Sequence, residues 1–203
     1  MDGRQGAAVT RKGKCPMSGI DESKKFVPLR IAVLTVSDTR DMAGDKSGQT
    51  LADRIEKSGH VLAERAIVKD EVSEIRARVQ RWIDDKSIDV VISTGGTGFT
   101  GRDVTPEAVE PLFEKKMDGF AMLFLLVSHA KIGTSAIQTR ATAGVAKSTY
   151  IFCLPGSPGA CKDAWDEILV HQLDYRYRPC NFVEILPRLD EHLRREKARG
   201  ATA

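Results

Sequence analysis

The sequence lacks the patterns that mark a metal-binding or disulfide-stabilised protein. Its four cysteines, Cys15, Cys153, Cys161 and Cys180, include no C-x-x-C pair, and its four histidines include no H-x-x-x-H pair. A structural zinc site is therefore not expected.

Long hydrophobic runs and a signal peptide are also missing. The longest purely apolar stretch, Phe120 to Val127, is too short to span a bilayer. The polar N-terminus has no apolar region of the kind that signal peptides carry. We expect a cytoplasmic protein with reduced thiols and with no membrane partner.

The sequence has little net charge, and its basic excess lies at the two ends. The chain carries +3 overall, residues 1–25 hold six basic and three acidic side chains, and residues 194–203 hold four basic and one acidic. About −3 is left for the residues between them. Solvated tails explain this distribution better than a nucleic-acid contact does, so no nucleic-acid partner is expected.

The length and composition predict a single folded domain. The chain has 203 residues, of which 41% are hydrophobic and 29% are charged, and both shares are ordinary for a globular protein. Residues 1–26 are rich in glycine, serine and charge without periodicity, which predicts a flexible tail. The domain is expected over residues 27–193, and residues 194–203 are expected to form a flexible basic tail.

Strand and helix patterns alternate through the domain. Strands are predicted at Leu29 to Val36, Val61 to Val68, Ile88 to Ser93 and Tyr150 to Leu154, where branched apolar residues run together. Helices are predicted before Gly59, from Val72 to Trp82, after a Thr105 N-cap, from Gly119 to Ala130 as a buried helix, and along Ala164 to Leu173. Thr134 to Lys147 shows no clear period. The alternation predicts a three-layer α/β/α fold with a mostly parallel sheet.

Polar or glycine-rich turns follow the four predicted strands. They are Ser37-Asp38, Lys69-Asp70, Thr94 to Gly98, and Gly156-Ser157. Because the carboxyl ends of parallel strands share one edge of the sheet, these turns are expected to converge on a ligand site. Polar loops are common in α/β proteins, so a purely structural role stays open for each non-glycine turn.

The third turn has the strongest chemical signal. Gly95, Gly96 and Gly98 expose backbone N–H groups, and Thr94 and Thr97 add hydroxyls, which suits an anion. The turn matches neither G-x-G-x-x-G nor the P-loop. A tight connection without a ligand is the alternative, but a cation, a carboxylate and a helix start follow at Arg102, Asp103 and Thr105-Pro106.

Five motifs together resemble the molybdopterin-binding domain family of molybdenum cofactor biosynthesis proteins. They are TVSD at Thr35 to Asp38, DKSG at Asp45 to Gly48, TGGTGFTGRDVTPEA at Thr94 to Ala108, TRATAG at Thr139 to Gly144, and LPGSP at Leu154 to Pro158. The resemblance covers about Arg30 to Phe182, and the tail Arg178 to Phe182 is similar to the protein B branch rather than to the MogA-type adenylyltransferases. It implies the MogA-like three-layer fold and a homotrimer or a hexamer built from two trimers.

The resemblance also implies roles for individual residues. Asp70 and Asp103 match family aspartates that serve magnesium and nucleotide binding, and this agrees with the preference of Mg²⁺ for carboxylates and phosphate oxygens. As alternatives, Asp70 is a helix N-cap and Asp103 a turn residue. The remaining implied ligand-binding residues are Ser37, Asp38, Thr94, Gly95, Gly96, Thr97, Gly98, Arg140, Gly156 and Ser157, although Ser157 also suits an N-cap and Thr139 replaces the usual serine before Arg140.

The implied reaction joins AMP from Mg-ATP to the terminal phosphate of molybdopterin and releases pyrophosphate. Such a transfer depends on positioning and charge neutralisation, so it needs no histidine or cysteine nucleophile. Two alternatives stay open: a non-catalytic molybdopterin-binding or carrier protein, and a different nucleotide or sugar-phosphate enzyme of similar fold. For assembly, Phe120 to Val127 and Arg178 to Phe182 are candidate interfaces, or equally parts of the core within one chain.

Overall fold

A mixed six-stranded sheet forms the centre of a computed structural model that describes residues 19–192 and residue 194. The strands are β1 (Gly19–Ile20), β2 (Arg30–Val36), β3 (Val61–Val68), β4 (Val90–Thr94), β5 (Lys115–Lys116), β6 (Thr142–Ala146), β7 (Thr149–Leu154) and β8 (Tyr177–Arg178). The six-stranded sheet has the order β3-β2-β4-β7-β6-β5; its first three pairings are parallel and the last two antiparallel. Strands β1 and β8 form a separate antiparallel pair.

Helices cover both faces of the sheet. They are α1 (Lys46–Lys57), α2 (Val72–Asp84), α3 (Thr105–Val109), α4 (Asp118–Ile132), α5 (Pro158–Ala164), α6 (Val170–Gln172) and α7 (Phe182–Ile185). Buried side chains of α1, α4, α5 and α7 share one core cluster, and those of α2 and α3 share another. The three-layer α/β/α prediction is confirmed.

Strand β2 shows how the sequence fills both cores. Ile31 and Val33 belong to one cluster, while Ala32 and Leu34 belong to the other, and all four side chains are fully buried. Successive side chains of a strand point to opposite faces, so a continuous apolar run is needed where helices cover both.

Helix α4 differs from the prediction of a buried helix. Phe120 and Phe124 pack into the core, but Met122 is 63% and Leu126 is 68% exposed. The helical stretch Asp118–Gln138 is long and apolar enough to cross a membrane by length and composition alone, a property that core helices of soluble proteins share. Its inward face packs on the sheet, and its outward apolar face has no cover from the described part of the chain.

The structure also adds elements that the sequence patterns missed. The stretch predicted without an element contains β6. Its small residues show no alternation of apolar and polar side chains, so the sequence pattern did not predict the strand. The N-terminal tail was expected to reach residue 26, yet Gly19–Ile20 pairs with β8 and Asp21 binds Arg178. Residues 1–18, 193 and 195–203 lie outside the described residues, so the tail predictions there are not addressed.

The C-terminal candidate interface packs within the chain at its end, whereas residues 178–180 are exposed. The ring of Phe182 packs 4.9 Å from that of Tyr150 between centroids, and the Asn181 side chain caps α7 by accepting a hydrogen bond from the Glu184 amide. Arg194, expected to begin the second tail, donates its backbone N–H to the carbonyl of Asp190.

Candidate functional site

The carboxyl ends of the parallel strands surround one open pocket. Its volume is about 420 Å³, and it lies where β2, β3, β4 and β7 end. The expected convergence of the four turns is therefore confirmed. The lining residues are Val36, Ser37, Arg40, Asp70, Gly95, Gly96, Thr97, Gly98, Asp103, Gln138, Pro155, Gly156 and Ser157.

The glycine turn requires glycine at its first two positions. Gly95 has φ +104° and Gly96 has φ +64°, both in the region that favours glycine. A Cβ on Gly95 would lie 2.2 Å from the carbonyl oxygen of Val36, and one on Gly96 would lie 2.4 Å from Thr105 Oγ1. The turn thus packs directly against the end of β2 and the start of α3.

Not every amide of this turn is open to a ligand. The Gly95 N–H donates to the carbonyl of Leu154, and the Gly98 N–H faces the Asp103 carboxylate. Within the described residues, the amides of Gly96 and Thr97 have no acceptor. The whole turn was expected to offer its N–H groups to a phosphate, but among the described residues the N–H groups left for a phosphate are those of Gly96 and Thr97.

Asp70 lies beside the glycine turn with its charge poorly compensated. Its Oδ1 is 3.0 Å from the position of a Cβ on Gly96. Burial, and then the neighbouring carboxylate of Asp38, raise the pKa of Asp70, although a hydrogen bond from the Asp38 backbone and the charge of Arg102 partly offset this. Asp70 is not the N-cap of α2, because Glu71 holds that position.

Asp103 has a structural partner as well as a place in the pocket. Its Oδ2 accepts hydrogen bonds from the Thr100 hydroxyl at 2.6 Å and the Thr100 amide at 2.8 Å. These bonds hold the pKa of Asp103 below its ordinary value. The turn-residue alternative therefore describes part of its role. Among the described residues, no group of three histidine, cysteine or acidic side chains is placed to hold a metal.

Asp38 and Arg102 tie the neighbouring rim loops together. Arg102 makes a two-point ion pair with Asp38 at 2.9 Å and donates to Glu71 at 2.8 Å. Asp38 also accepts the amide of Asp70. Asp38 does not line the pocket, so the structure places this expected ligand-binding residue in the support of Asp70.

Arg140 and Thr94 likewise support the turn. The Arg140 guanidinium donates to the carbonyls of Gly98 and Asp103 and pairs with Glu107. The Thr94 side chain is buried and donates to the carbonyl of Pro155. Neither residue lines the pocket. The Thr105 hydroxyl donates a hydrogen bond to the carbonyl of Gly95, and the N-cap of α3 is Val104 rather than the predicted Thr105.

The second glycine loop packs against the first. A Cβ on Gly156 would lie 3.1 Å from Gly95 Cα, so the two loops touch through their backbones. Ser157 is the N-cap of α5 and accepts the amide of Ala160, as the alternative reading held. The Ser37 hydroxyl accepts the amides of Thr39 and Arg40, which fixes the first loop.

Three contributors were missed from the sequence. Arg40 and Gln138 line the pocket, and the Ser47 hydroxyl donates to the carbonyl of Gly156 at 2.8 Å. Ser47 lies in the DKSG motif, which was quoted without a role. Arg40 lies in a loop and Gln138 at the end of a 3-10 helix, and in neither segment does a local sequence pattern single out one side chain.

Comparison with known proteins identifies relatives. Residues 32–175 match a family model described as a probable molybdopterin binding domain. Molybdenum cofactor biosynthesis protein B of Escherichia coli (strain K12) is 49% identical over 160 residues, which are 79% of this chain and 94% of that protein. Its namesake from Bacillus subtilis (strain 168) is 41% identical over 162 residues, covering 78% and 95%.

A solved structure gives the same result for the fold. The crystal structure of a molybdenum cofactor biosynthesis protein B superposes with a TM-score of 0.71 at 34% identity, and the match covers 85% of this chain and 99% of that one.

Proposed function

The chain belongs to the family of probable molybdopterin-binding domains, and from this premise we propose that it binds molybdopterin and adenylylates it. Its place among the protein B homologues assigns it to molybdenum cofactor biosynthesis. The proposed reaction transfers AMP from Mg-ATP to the terminal phosphate of molybdopterin in the pocket above β2, β3, β4 and β7.

One observation carries this proposal: two amides without an acceptor among the described residues and a poorly compensated carboxylate line the same pocket. The N–H groups of Gly96 and Thr97 favour an anion, whereas the carboxylates of Asp70 and Asp103, which line the same pocket, favour a cation. A nucleotide phosphate carrying Mg²⁺ satisfies both groups together. At the glycine turn itself, a phosphate without a cation would be repelled by Asp70.

The residues present fit a magnesium ion that arrives with its nucleotide. Mg²⁺ in phosphate-transfer sites takes one or two carboxylates and completes its shell with phosphate oxygens and water. Asp70 and Asp103 would supply the two carboxylates. When bound, the ion neutralises charge on the phosphates.

The chain itself then positions the reactants. A terminal phosphate oxygen of molybdopterin attacks the α-phosphorus of ATP, the bond from that phosphorus to the bridging oxygen breaks, and pyrophosphate leaves. The amides of Gly96 and Thr97 stabilise the charge on the phosphoryl oxygens. Arg140 and the Asp38–Arg102 pair keep the turn and Asp70 in place.

Pyrophosphate release from molybdopterin and Mg-ATP tests this function. We expect turnover by the wild type and a loss of at least about a hundredfold in Asp103→Ala, because a carboxylate proposed to hold the magnesium ion is removed. Asp84→Ala is the control, since it deletes an aspartate at the far end of α2. Undiminished turnover in Asp103→Ala would end the assignment.

A non-catalytic molybdopterin-binding or carrier role is the second candidate. The observation in its favour is that one oxygen of Asp103 is already bound by Thr100. This candidate expects molybdopterin binding by the wild type without pyrophosphate release. A different nucleotide or sugar-phosphate enzyme would fail to bind the pterin at all.

The outward face of α4 supports self-association in the cytoplasm as a homotrimer or a hexamer of two trimers. Met122, Leu125, Leu126 and Ile132 are exposed on this helix, and contiguous apolar patches of this kind mark interfaces. Sedimentation of the wild type should give a trimer or hexamer, and Leu126→Glu should shift it toward the monomer. A monomeric wild type would contradict this part of the proposal.

A further inference from the structure

Among the described residues that line the pocket, Arg40 is the one cationic side chain. Its Nη1 donates to the carbonyl of Gly156 at 3.1 Å and lies 3.4 Å from the Ser47 hydroxyl. Within the described residues, its other two guanidinium nitrogens have no hydrogen-bond acceptor and no carboxylate pairs with it. Arg40 is therefore held in place by one nitrogen and keeps donors for a ligand.

The other two arginines near the rim are already engaged. Arg102 is shared between Asp38 and Glu71, and Arg140 is shared between two backbone carbonyls and Glu107. Binding an anion with either would break several hydrogen bonds within the protein. Arg40 can bind an anion without breaking such hydrogen bonds.

The charges of the pocket are separated along its rim. Asp103 lies beside Gly98, and Asp70 lies beside Gly96. Further along the rim, Gly95 packs against Gly156 of the second glycine loop. Arg40 lies on the far side of this contact, where it donates a hydrogen bond to the Gly156 carbonyl. The pocket thus has an acidic half at the glycine turn and a cationic half at the second glycine loop.

We infer that Arg40 binds the phosphate monoester of the second substrate, in the cationic half, while the magnesium-bound nucleotide phosphates occupy the acidic half. The inference rests on the proposed function for the presence of two phosphate-bearing ligands. A guanidinium matches the oxygens of a phosphate with two parallel N–H donors, and it supplies the charge that a metal-free dianion needs. The attacking phosphate would then be held next to the nucleotide by a residue of its own.

Titration of the full chain with inorganic phosphate, without magnesium and followed by ³¹P NMR, tests the role of Arg40. Arg40→Gln should weaken phosphate binding by about tenfold or more, as expected for a lost charge-assisted contact. Arg81→Gln is the matched control, because this side chain is 65% exposed in the last turn of α2, away from the rim. Equal binding by Arg40→Gln and wild type, or no binding by the wild type, would overturn the inference.

A second variant separates direct binding from support of the loop. Ser47→Ala removes the other side-chain hydrogen bond to Gly156 and leaves the charge of Arg40. We expect it to change phosphate binding by less than about threefold. A loss as large as that of Arg40→Gln would show that Arg40 acts only by holding Gly156, and would overturn the inference.

Mg-ATP binding tests the division of the pocket. Arg40→Gln should change the Kd for Mg-ATP less than it changes the Kd for phosphate, and Asp103→Asn should do the reverse. A parallel loss of both ligands in Arg40→Gln would overturn the division. Pyrophosphate release by the wild type tests the proposed function separately, so an Arg40-dependent phosphate site without turnover would contradict adenylylation and leave this inference standing.

Discussion

Two aspartates at the same edge of the sheet, Asp45 and Asp70, lie in opposite surroundings. Burial raises the pKa of Asp45, but hydrogen bonds from Thr35, Arg65 and Gly48 outweigh it and leave the pKa below the ordinary value. Within the described residues, Asp70 receives no hydrogen bond from a side chain, and its pKa is raised. The charge of Asp45 is compensated within the protein, and we propose that the charge of Asp70 is compensated by a ligand.

The contrast distinguishes an aspartate that stabilises the fold from one that we propose to bind a ligand. Asp45 is 1% exposed and joins β2, β3 and the start of α1 through Thr35, Arg65 and Gly48. Asp70 lines the pocket at the end of β3. Removing the first should damage the fold, and removing the second should damage binding alone.

The largest expected effect is on stability, in Asp45→Ala. The variant leaves Arg65 without its buried partner, which costs about 3–5 kcal/mol for a buried pair. Urea unfolding monitored by circular dichroism measures the loss. Asp53→Ala, an exposed aspartate of the same helix, should stay within about 0.5 kcal/mol of the wild type. A loss below about 1 kcal/mol in Asp45→Ala would remove the proposed distinction.

The next effect is on binding, in Asp70→Asn. We expect the Kd for Mg-ATP to rise by at least about tenfold, because the carboxylate that meets the metal is lost. The unfolding free energy should be equal or higher, since the ionised form of a carboxyl with a raised pKa is disfavoured in the folded state. Calorimetric titration and thermal unfolding measure the two. Reduced stability with unchanged binding would reverse the roles of the two aspartates.

The smallest effect is on acid stability. The folded-state pKa of Asp45 is lowered, so its stabilising contribution is present above 3.8 and is lost as the pH falls through the folded-state value. Burial also lowers the pKa of His60 from 6.5 to about 4. The folded state therefore disfavours the protonated imidazole, and the stability of the protein falls as the pH drops from 6.5 to about 4. His60→Gln should remove the loss of stability in the upper window, and Asp45→Asn should remove it below 3.8. Unfolding midpoints measured as a function of pH check this. Equal changes in both variants at every pH would contradict the assignment of the upper window to His60 and of the lower window to Asp45.

The sequence was sufficient for the parts of the fold with local signals. The runs at β2, β3, β4 and β7 are apolar because helices cover both faces, and each ends in a polar or glycine-rich turn. These two features predicted the pocket and placed Asp70 and Asp103 beside the glycine turn. The same local reasoning could not separate Thr94, which does not line the pocket, from Thr97, which does.

What was missed depends on contacts between distant segments. Strand β6 exists because it pairs with β7, and its small residues carry no periodicity of their own. The apolar residues of α4 predict burial by composition, although the described part of the chain leaves most of them exposed. The role of Arg40 follows from Gly156, which lies 116 positions further along the chain.

The most direct measurement is pyrophosphate release from molybdopterin and Mg-ATP by the wild type, Asp70→Asn and Asp45→Asn at a temperature where all three are folded. We predict that Asp70→Asn loses turnover and that Asp45→Asn retains it in proportion to its folded fraction. Turnover by Asp70→Asn equal to that of the wild type would contradict the claim that Asp70 keeps its charge for the magnesium-bound nucleotide.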